Sequence, residues 1–142
     1  MYLCNTVNPI VSQKKSIMNE LIQNFKEVVT QKYVLFTGRA GVKEYWYFFV
    51  VNFAVSILFY ILMLIFMESA AMAGIVSLLS MIWSLGLFLP ALALTVRRLH
   101  DTGKGGGWIF IGLVPIIGAL YLLYLMIIKG EPTTNRFGDP VE

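Results

Sequence analysis

Three long apolar runs without a single charge constrain what this chain can fold into. They cover residues 47–67, 70–96 and 108–128, which are 21, 27 and 21 residues long. A helix of about 20 residues crosses the roughly 30 Å hydrocarbon core of a bilayer. Inside lipid only helices and closed barrels satisfy every backbone group, and these runs lack the period-two alternation of barrel strands. The sequence therefore predicts an all-α integral membrane protein, a bundle of three transmembrane helices.

The composition supports this prediction, and one run carries an interruption. Hydrophobic residues make up 58% of the chain and charged residues 13%, whereas a soluble domain carries about 25% charged residues. Too little polar sequence is left to cover three buried helices. Pro115 and Gly118 interrupt the third run. A re-entrant segment, or a fourth short helix, is therefore an alternative to a continuous third span.

The lysines and arginines predict the orientation. Of the eleven, nine lie before the first span or between the second and third, and two, Lys129 and Arg136, follow the third. Basic residues concentrate on the cytoplasmic side of a membrane. Three crossings then place the N-terminus in the cytoplasm of a multi-pass protein and the polar tail, residues 129–142, outside. A re-entrant third segment would instead return the tail to the cytoplasm.

The segment before the first span has helical periodicity. Apolar residues recur every three or four positions between 18 and 33, namely Met18, Leu21, Ile22, Phe25, Val28, Val29 and Tyr33. This spacing predicts an amphipathic helix lying in the plane of the headgroups, with a partner-binding or coiled segment as the alternative. Residues 1–17 lack such a pattern, which predicts a disordered extension in front of a single membrane domain, 18–142.

The stretch "RRLHDTGKGGGWIF", residues 97–110, carries the most varied chemistry. His100 and Asp101 are adjacent, so on a helix they point apart, and no serine or cysteine nucleophile is close in sequence. A zinc site needs three or four ligands, but the chain has one histidine and one cysteine, Cys4. A phosphate-binding P-loop needs Ser or Thr after its lysine, whereas Lys104 precedes Gly105. We therefore expect no catalytic residue, metal or cofactor, and no nucleic acid partner.

A network at the cytoplasmic edge is the favoured interpretation of this stretch. Arginine pairs well with carboxylate or phosphate, and basic residues at this face attract anionic lipid headgroups. The residues expected at one depth are Arg39, Glu44, Arg97, Arg98 and Asp101, with His100 beside them. This edge network is expected either to be structural or to bind a headgroup.

The spans contain no Asp, Glu, Lys, Arg or His, unlike the spans of most coupled transporters. Their polar residues include Asn52 and Ser56 on the first span and Ser77, Ser80 and Ser84 on one face of the second, which Thr95 extends. Small polar faces let helices approach closely and form hydrogen bonds. We expect helix packing here, with a polar path through a homo-oligomer as the alternative.

Three motifs carry a resemblance to a known family. They are "FTGRAGVKEYWYF" (36–48), "RRLHDTGKGGGWIFIGLVPIIG" (97–118) and "GEPTTNRFGDP" (130–140). In this order they resemble the domain of unknown function 805 family of small bacterial inner-membrane proteins, over residues 18–140. The chain departs from the pattern at Gly106 and Gly107, where the family often has an aromatic residue beside Trp108.

The resemblance implies location in the bacterial inner membrane but no activity. We expect a non-enzymatic protein acting through helix packing, lipid-headgroup binding or partner binding. A small oligomeric channel or transporter is the alternative.

Overall fold

The computed structural model describes residues 9–141. All secondary-structure elements assigned within these residues are helices. The elements are α1 (Pro9–Thr30), α2 (Val42–Ile65), α3 (Ala70–Asp101), a 3₁₀ helix (Gly106–Leu113) and α4 (Ile117–Ile127). The prediction of an all-α protein is confirmed.

Among residues 9–141, helices α2 and α3 are the two elements long and apolar enough to cross a membrane. They have 24 and 32 residues and mean hydropathies of 2.6 and 2.1 over their most apolar stretches, which makes them about 36 Å and 48 Å long. Only 6% and 17% of those stretches is buried within the protein. The core helix of a soluble protein would be mostly buried. Their apolar side chains therefore need another apolar environment, which a bilayer provides.

The third apolar run folds as a hairpin in place of one continuous helix over 108–128, so three transmembrane helices are not confirmed, and the arrangement agrees with the alternative of a re-entrant segment or a fourth short helix. The 3₁₀ helix ends at Leu113, and α4 begins after Ile116, whose φ is +64°. Pro115 lacks the N–H that a continuing helix would need. The two legs approach so closely that a Cβ on Gly118 would lie 1.8 Å from the carbonyl oxygen of Ile111. Each leg is about 16 Å long. We call residues 106–127 the terminal hairpin.

The terminal hairpin returns the chain to the end of α3 from which it left. Met126 O accepts hydrogen bonds from Trp46 Nε1 (3.2 Å) and Arg98 Nε (3.4 Å). The N–H of Glu131 then donates to Asp101 O at 2.8 Å. The tail therefore lies at the same end of the bundle as the 97–108 loop. This differs from the expected placement of the tail on the opposite side and agrees with the re-entrant alternative, because the third run turns back at Pro115. The side of the membrane on which the tail lies stays a prediction.

Helix α1 begins at Pro9 and ends at Thr30, so the prediction of disorder is wrong for residues 9–17. The rest of that prediction lies outside the described residues. The C-terminal half of α1 packs on the bundle, because Phe25 stacks on Phe48 and Trp83 with ring centroids 5.4 Å and 6.0 Å away. Side chains of its N-terminal half, including Val11 and Met18, are exposed. Its placement in the headgroup plane stays a prediction.

Two small apolar clusters position the functional end of the bundle. The first joins α1, α2 and α3 through Val28, Ala40, Phe48, Leu87 and Leu94. The second joins the end of α3 to α4 through Leu99, Leu125 and Met126. The charged residues of the edge network lie between and around these clusters.

Candidate functional site

The structure brings all five residues of the edge network to one end of the bundle. Arg39 precedes α2, Glu44 is in its first turn, and Arg97, Arg98 and Asp101 end α3. The α2–α3 turn is only four residues long, 66–69. The two helices therefore run antiparallel, and the start of α2 lies beside the end of α3.

Arg39 is saturated by protein acceptors. Its Nε donates to Asp101 Oδ1 at 2.8 Å, and its Nη1 donates to Thr133 O (2.9 Å) and Gly138 O (3.3 Å). Its Nη2 donates to Glu131 O (2.5 Å) and Asp101 O (3.4 Å). A guanidinium has five N–H donors, so these five contacts account for all of them. With 1% of its side chain exposed, Arg39 ties the tail to α3.

Arg98 holds the terminal hairpin in the same way. Its Nη1 donates to Asp101 Oδ2 at 2.5 Å, and neither side chain is more than 5% exposed. The same guanidinium reaches the end of α4, donating to Met126 O and Ile128 O. Asp101 thus accepts from two buried arginines, one on each carboxylate oxygen. A buried carboxylate is stabilised by such paired, charge-assisted hydrogen bonds.

Arg97 belongs to a second group of charges. Its Nη1 lies 2.8 Å from Glu44 Oε1, and the same oxygen lies 3.1 Å from Lys32 Nζ. Lys32 also pairs with Glu27 at 2.9 Å. Burial lowers the pKa of Lys32, but its hydrogen bonds to Glu27 and Glu44 and their charges outweigh burial, so its pKa is raised. Lys32 therefore stays charged at neutral pH and shares Glu44 with Arg97.

Arg97 has buried donors without acceptors. The side chain is 2% exposed. Its Nε and Nη2 have no hydrogen-bond partner among residues 9–141. An unpaired buried polar group costs about 1–3 kcal/mol, and more when it carries charge. Arg97 therefore differs from Arg39, whose five N–H donors all have acceptors.

His100 joins the tail to the edge network. Its ring stacks on Phe137 with centroids 3.7 Å apart and planes 3° from parallel. Its Nδ1 lies 3.0 Å from Gly38 O, and a carbonyl can only accept, so Nδ1 carries the proton. Asn135 Nδ2 donates to His100 O at 3.0 Å. Sequence reasoning missed the roles of Asn135 and Phe137, although both stand in the third family motif.

A groove between α1 and α2 opens beside the edge network. It encloses about 720 Å³, and its polar lining comprises Asn19, Glu20, Gln23, Asn24, Glu27, Lys32, Lys43 and Glu44, with Gly41, Tyr47 and Val141. Asn24 Nδ2 donates to Glu44 O at 3.0 Å and holds the two helices together at its base. The aromatic residues Tyr45, Trp46 and Tyr47 occupy the same turn of α2. Such rings favour the membrane interface.

The polar residues of the two long helices lie elsewhere, further along the bundle. Asn52 Oδ1 accepts a hydrogen bond from Trp83 Nε1 at 3.1 Å. The serine hydroxyls bond to carbonyls of their own helices, as in Ser56 to Asn52 and Ser84 to Ser80. Ser56, Ser77, Ser80 and Ser84 surround a cavity of about 280 Å³ together with Phe59, Tyr60, Met63, Val76 and Trp83. We call it the serine cavity.

The arrangement binds and positions groups more readily than it performs chemistry. No group of three or more His, Cys, Asp or Glu residues able to hold a metal exists among residues 9–141. His100 faces a backbone carbonyl and an aromatic ring. Asp101 is engaged by two arginines. Neither side chain is placed as the base of a nucleophile.

These features define a class of protein, an all-helical membrane protein with two candidate spans, a terminal hairpin and a buried arginine–carboxylate network. A family model described as "Protein of unknown function (DUF805)" matches residues 33–139. The chain belongs to this family, and the resemblance seen in the sequence is confirmed.

Two relatives from Escherichia coli (strain K12) extend the comparison. Inner membrane protein YhaI is 41% identical over 112 residues, covering 78% of this chain and 89% of the relative. Inner membrane protein YhaH is 40% identical over 113 residues, covering 79% of this chain and 92% of the relative. No solved structure matches the chain.

Proposed function

We propose that this chain is a non-enzymatic protein of the bacterial inner membrane that binds lipid headgroups at its cytoplasmic edge. In this proposal α2 and α3 cross the bilayer and the terminal hairpin enters from the cytoplasmic side. Its legs, about 16 Å long, reach about halfway through a core of roughly 30 Å. Both relatives are named inner membrane proteins, which supports the location.

The distribution of basic residues supports the orientation. With the third run folded back, all eleven lysines and arginines lie on the side of the edge network. The α2–α3 turn, residues 66–69, carries only Glu68 as a charged residue. Eleven against none is a stronger asymmetry than three spans would give, and it favours cytoplasmic termini.

The observation that carries headgroup binding is the groove between α1 and α2. It lies in the turn of α2 that bears Tyr45, Trp46 and Tyr47, and charged and amide side chains line it. Anionic lipids are further attracted by the exposed lysines of this side, Lys14, Lys15, Lys26 and Lys129, at about 1 kcal/mol per basic residue near the surface. Arg39 and Arg98, in contrast, serve the fold, because protein acceptors engage their guanidinium groups.

Lipid titration of the purified full chain tests this proposal. We expect the melting temperature in mild detergent to rise with added phosphatidylglycerol and to rise less with phosphatidylcholine, because bound ligand stabilises the folded state. Native mass spectrometry should show retained lipid in the same samples. Equal, small shifts with both lipids and no retained lipid would contradict headgroup binding.

A small oligomeric channel or transporter is the second candidate. The serine cavity supports it, since four serines face one space between α2 and α3. Two helices cannot enclose a path, so several copies of the chain would be needed. Purified protein in liposomes should then conduct ions, and Ser80→Val should reduce the flux while Ser16→Val, on α1 outside the cavity, should not. Absence of flux in the wild-type protein would remove this candidate.

A further inference from the structure

A proline inside α3 frees a backbone carbonyl, and a side chain from outside the helix binds it. Pro90 lies within α3 and has no N–H, so Gly86 O, four residues earlier, loses the donor that a regular helix supplies. Tyr33 Oη donates to this oxygen at 2.6 Å. An unpaired carbonyl is costly in hydrocarbon. Tyr33, in the loop after α1, therefore stabilises the part of α3 that contains the proline.

The same contact makes Tyr33 a wall of a groove between the end of α1 and the two long helices. The groove has a volume of about 470 Å³, within the range of about 300–1,000 Å³ for ligand pockets, and we call it the apolar groove. Its lining residues are Val29, Tyr33, Phe59, Leu79, Ile82, Trp83, Gly86 and Leu87. Trp83 is held in place, because its Nε1 donates to Asn52 Oδ1 at 3.1 Å and its ring stacks on Phe25.

The lining of the apolar groove offers no free donor to an occupant. Its side chains carry two polar atoms, Tyr33 Oη and Trp83 Nε1, and both donate within the protein. None of the lining residues is charged. A Cβ on Gly86 would have no atom of the described residues within 4 Å, so the backbone of α3 leaves open space there. A polar occupant would lose its hydrogen bonds to water without replacement, whereas a hydrocarbon chain has none to lose.

The position of the apolar groove along α3 corresponds to the hydrocarbon layer. Gly86 lies eleven residues before Arg97, which is about 16 Å along the helix, whereas the headgroup layer is about 5–8 Å thick on each side. Lys32 and Tyr33 are adjacent, yet Lys32 Nζ reaches Glu44 in the edge network (3.1 Å) and Tyr33 Oη reaches Gly86. Basic side chains extend toward water, and tyrosine rings favour the interface. The end of α1 therefore marks the boundary between headgroups and acyl chains.

We infer that the apolar groove binds one acyl chain of a phospholipid in the cytoplasmic leaflet. The inference deepens the proposed function and rests on it, because α2 and α3 are taken to cross the bilayer with the edge network at the cytoplasmic face. The chain enters below the end of α1, lies against Tyr33, Phe59 and Trp83, and fills the space that Gly86 leaves open.

This site is separate from the groove proposed for headgroups. Glu27 and Lys32 line the groove between α1 and α2, whereas Val29 and Tyr33 line the apolar groove. The end of α1 therefore contributes different side chains to the two grooves. Recognition in the apolar groove depends on the chain, so it should not distinguish phosphatidylglycerol from phosphatidylcholine.

Two glycines of α3 provide a matched pair of substitutions. Gly86→Leu fills the apolar groove, while Gly74→Leu adds the same side chain outside it, and a new Cβ at either position has nothing of the described residues within 4 Å. Leucine also has a higher helix propensity than glycine, so both variants should fold. Leu79→Phe, at an exposed lining residue, fills the groove from another position and replaces Gly86→Leu if that variant melts below the wild type without lipid.

Native mass spectrometry of the full chain, released from mild detergent after addition of either phospholipid, counts the lipids retained per chain. We expect Gly86→Leu and Leu79→Phe to retain one phospholipid fewer than the wild type, and Gly74→Leu to retain the same number. Equal counts in all four proteins, or no lipid on the wild type, would overturn the site. So would an unchanged lipid count with loss of a dimer in Gly86→Leu, because a second copy of the chain would then fill the groove.

The lipid titration of the proposed function separates the two failures. If phosphatidylglycerol and phosphatidylcholine stabilise the wild type equally, but Gly86→Leu still loses one lipid relative to Gly74→Leu, headgroup binding is contradicted and the acyl site stands. If phosphatidylglycerol is preferred while the two leucine variants retain equal numbers of lipids, the acyl site alone is overturned.

Discussion

Arg39 Nε lies 2.8 Å from Asp101 Oδ1, although 62 positions separate the two residues in sequence. The same carboxylate receives Arg98, and the backbone oxygen of Asp101 receives the N–H of Glu131. One residue at the end of α3 therefore joins the entry to α2, the terminal hairpin and the tail. Replacing Asp101 should therefore disturb the entry to α2, the terminal hairpin and the tail together. This substitution is the most direct test of the edge network.

Replacing Asp101 with Asn should strongly destabilise the protein. The change keeps the size of the side chain but leaves two buried guanidinium groups without their counter-charge, and breaking a buried pair costs about 3–5 kcal/mol. This loss of stability would be measured as a lower free energy of unfolding in detergent. Glu27→Gln is the control, because the Lys32–Glu27 pair is partly exposed and such pairs are worth about 0–1 kcal/mol. Equal small losses would mean that the edge network is solvated.

Replacing Arg39 with Lys should also destabilise the fold, although the charge is kept. Lysine has three donors on one nitrogen and cannot reproduce the planar fork that reaches Asp101, Thr133 and Glu131 together. Carbonyls left without donors cost about 1–3 kcal/mol. Combined with Asp101→Asn, the loss should be less than the sum of the single losses, because the residues are in contact. Strict additivity would argue against their coupling.

The sequence predicted helices from apolar length and marked Pro115 and Gly118 as an interruption, but it could not decide between a continuous third span and a segment that turns back. Residues 47–65 of the first run and all of 70–96 are parts of α2 and α3. No residue within them breaks the helix. Even Pro90 is accommodated within α3. In the third run, Pro115 together with a close approach at Gly118 reverses the chain. Apolar periodicity carries no information about such an approach, since it depends on the opposite leg.

The edge network, too, was predictable from the sequence only in part. Chemistry and expected depth were enough to select Arg39, Glu44, Arg97, Arg98 and Asp101. Which carboxylate meets which arginine was not predictable, because it depends on the register of α2 against α3. The carbonyl acceptors of Arg39 come from a tail that was expected on the other side of the membrane. The third motif was visible, but only the folded chain shows Asn135 and Phe137 against His100.

The terminal hairpin predicts an asymmetric effect of two glycine substitutions. Gly118→Ala places a Cβ 1.8 Å from Ile111 O, so the legs must separate. Such overpacking costs about 1–3 kcal/mol. Gly74→Ala has nothing within 4 Å of the new Cβ and lies inside α3, so it should be neutral or stabilising by up to about 1 kcal/mol. Thermal unfolding of both variants in the same detergent would measure this difference in stability. Equal tolerance of both changes would mean that the hairpin legs are not in contact.

Cysteine labelling tests the placement of the tail. In a Cys4→Ser background, Thr102→Cys and Thr134→Cys should both be protected from an impermeant thiol reagent in intact cells, because the tail hydrogen-bonds to the end of α3. Ser69→Cys, in the α2–α3 turn, should be labelled. Permeabilised cells provide the control, in which the two threonine-derived cysteines become reactive. Labelling of position 134 but not 102 in intact cells would restore a third complete span.

Helix α1 should contribute to stability through its C-terminal half and to membrane binding through its N-terminal half. Phe25 stacks between Phe48 and Trp83, and removing such a ring costs up to about 3 kcal/mol when it is partly buried. Phe25→Ala should therefore lower the free energy of unfolding clearly. Removal of residues 1–17 should leave it nearly unchanged, because exposed side chains such as Val11 dominate the helical part that is lost.

The same truncation should weaken binding of the protein to anionic lipid, because it removes Lys14 and Lys15. Each is worth about 1 kcal/mol near a negatively charged surface. Lys14→Gln with Lys15→Gln in the full chain is the matched control, and it should weaken the binding by a similar amount without shortening the helix. If the truncation instead unfolds the protein while the double glutamine variant does not, the N-terminal half of α1 packs on the bundle and does not serve as a membrane-facing extension.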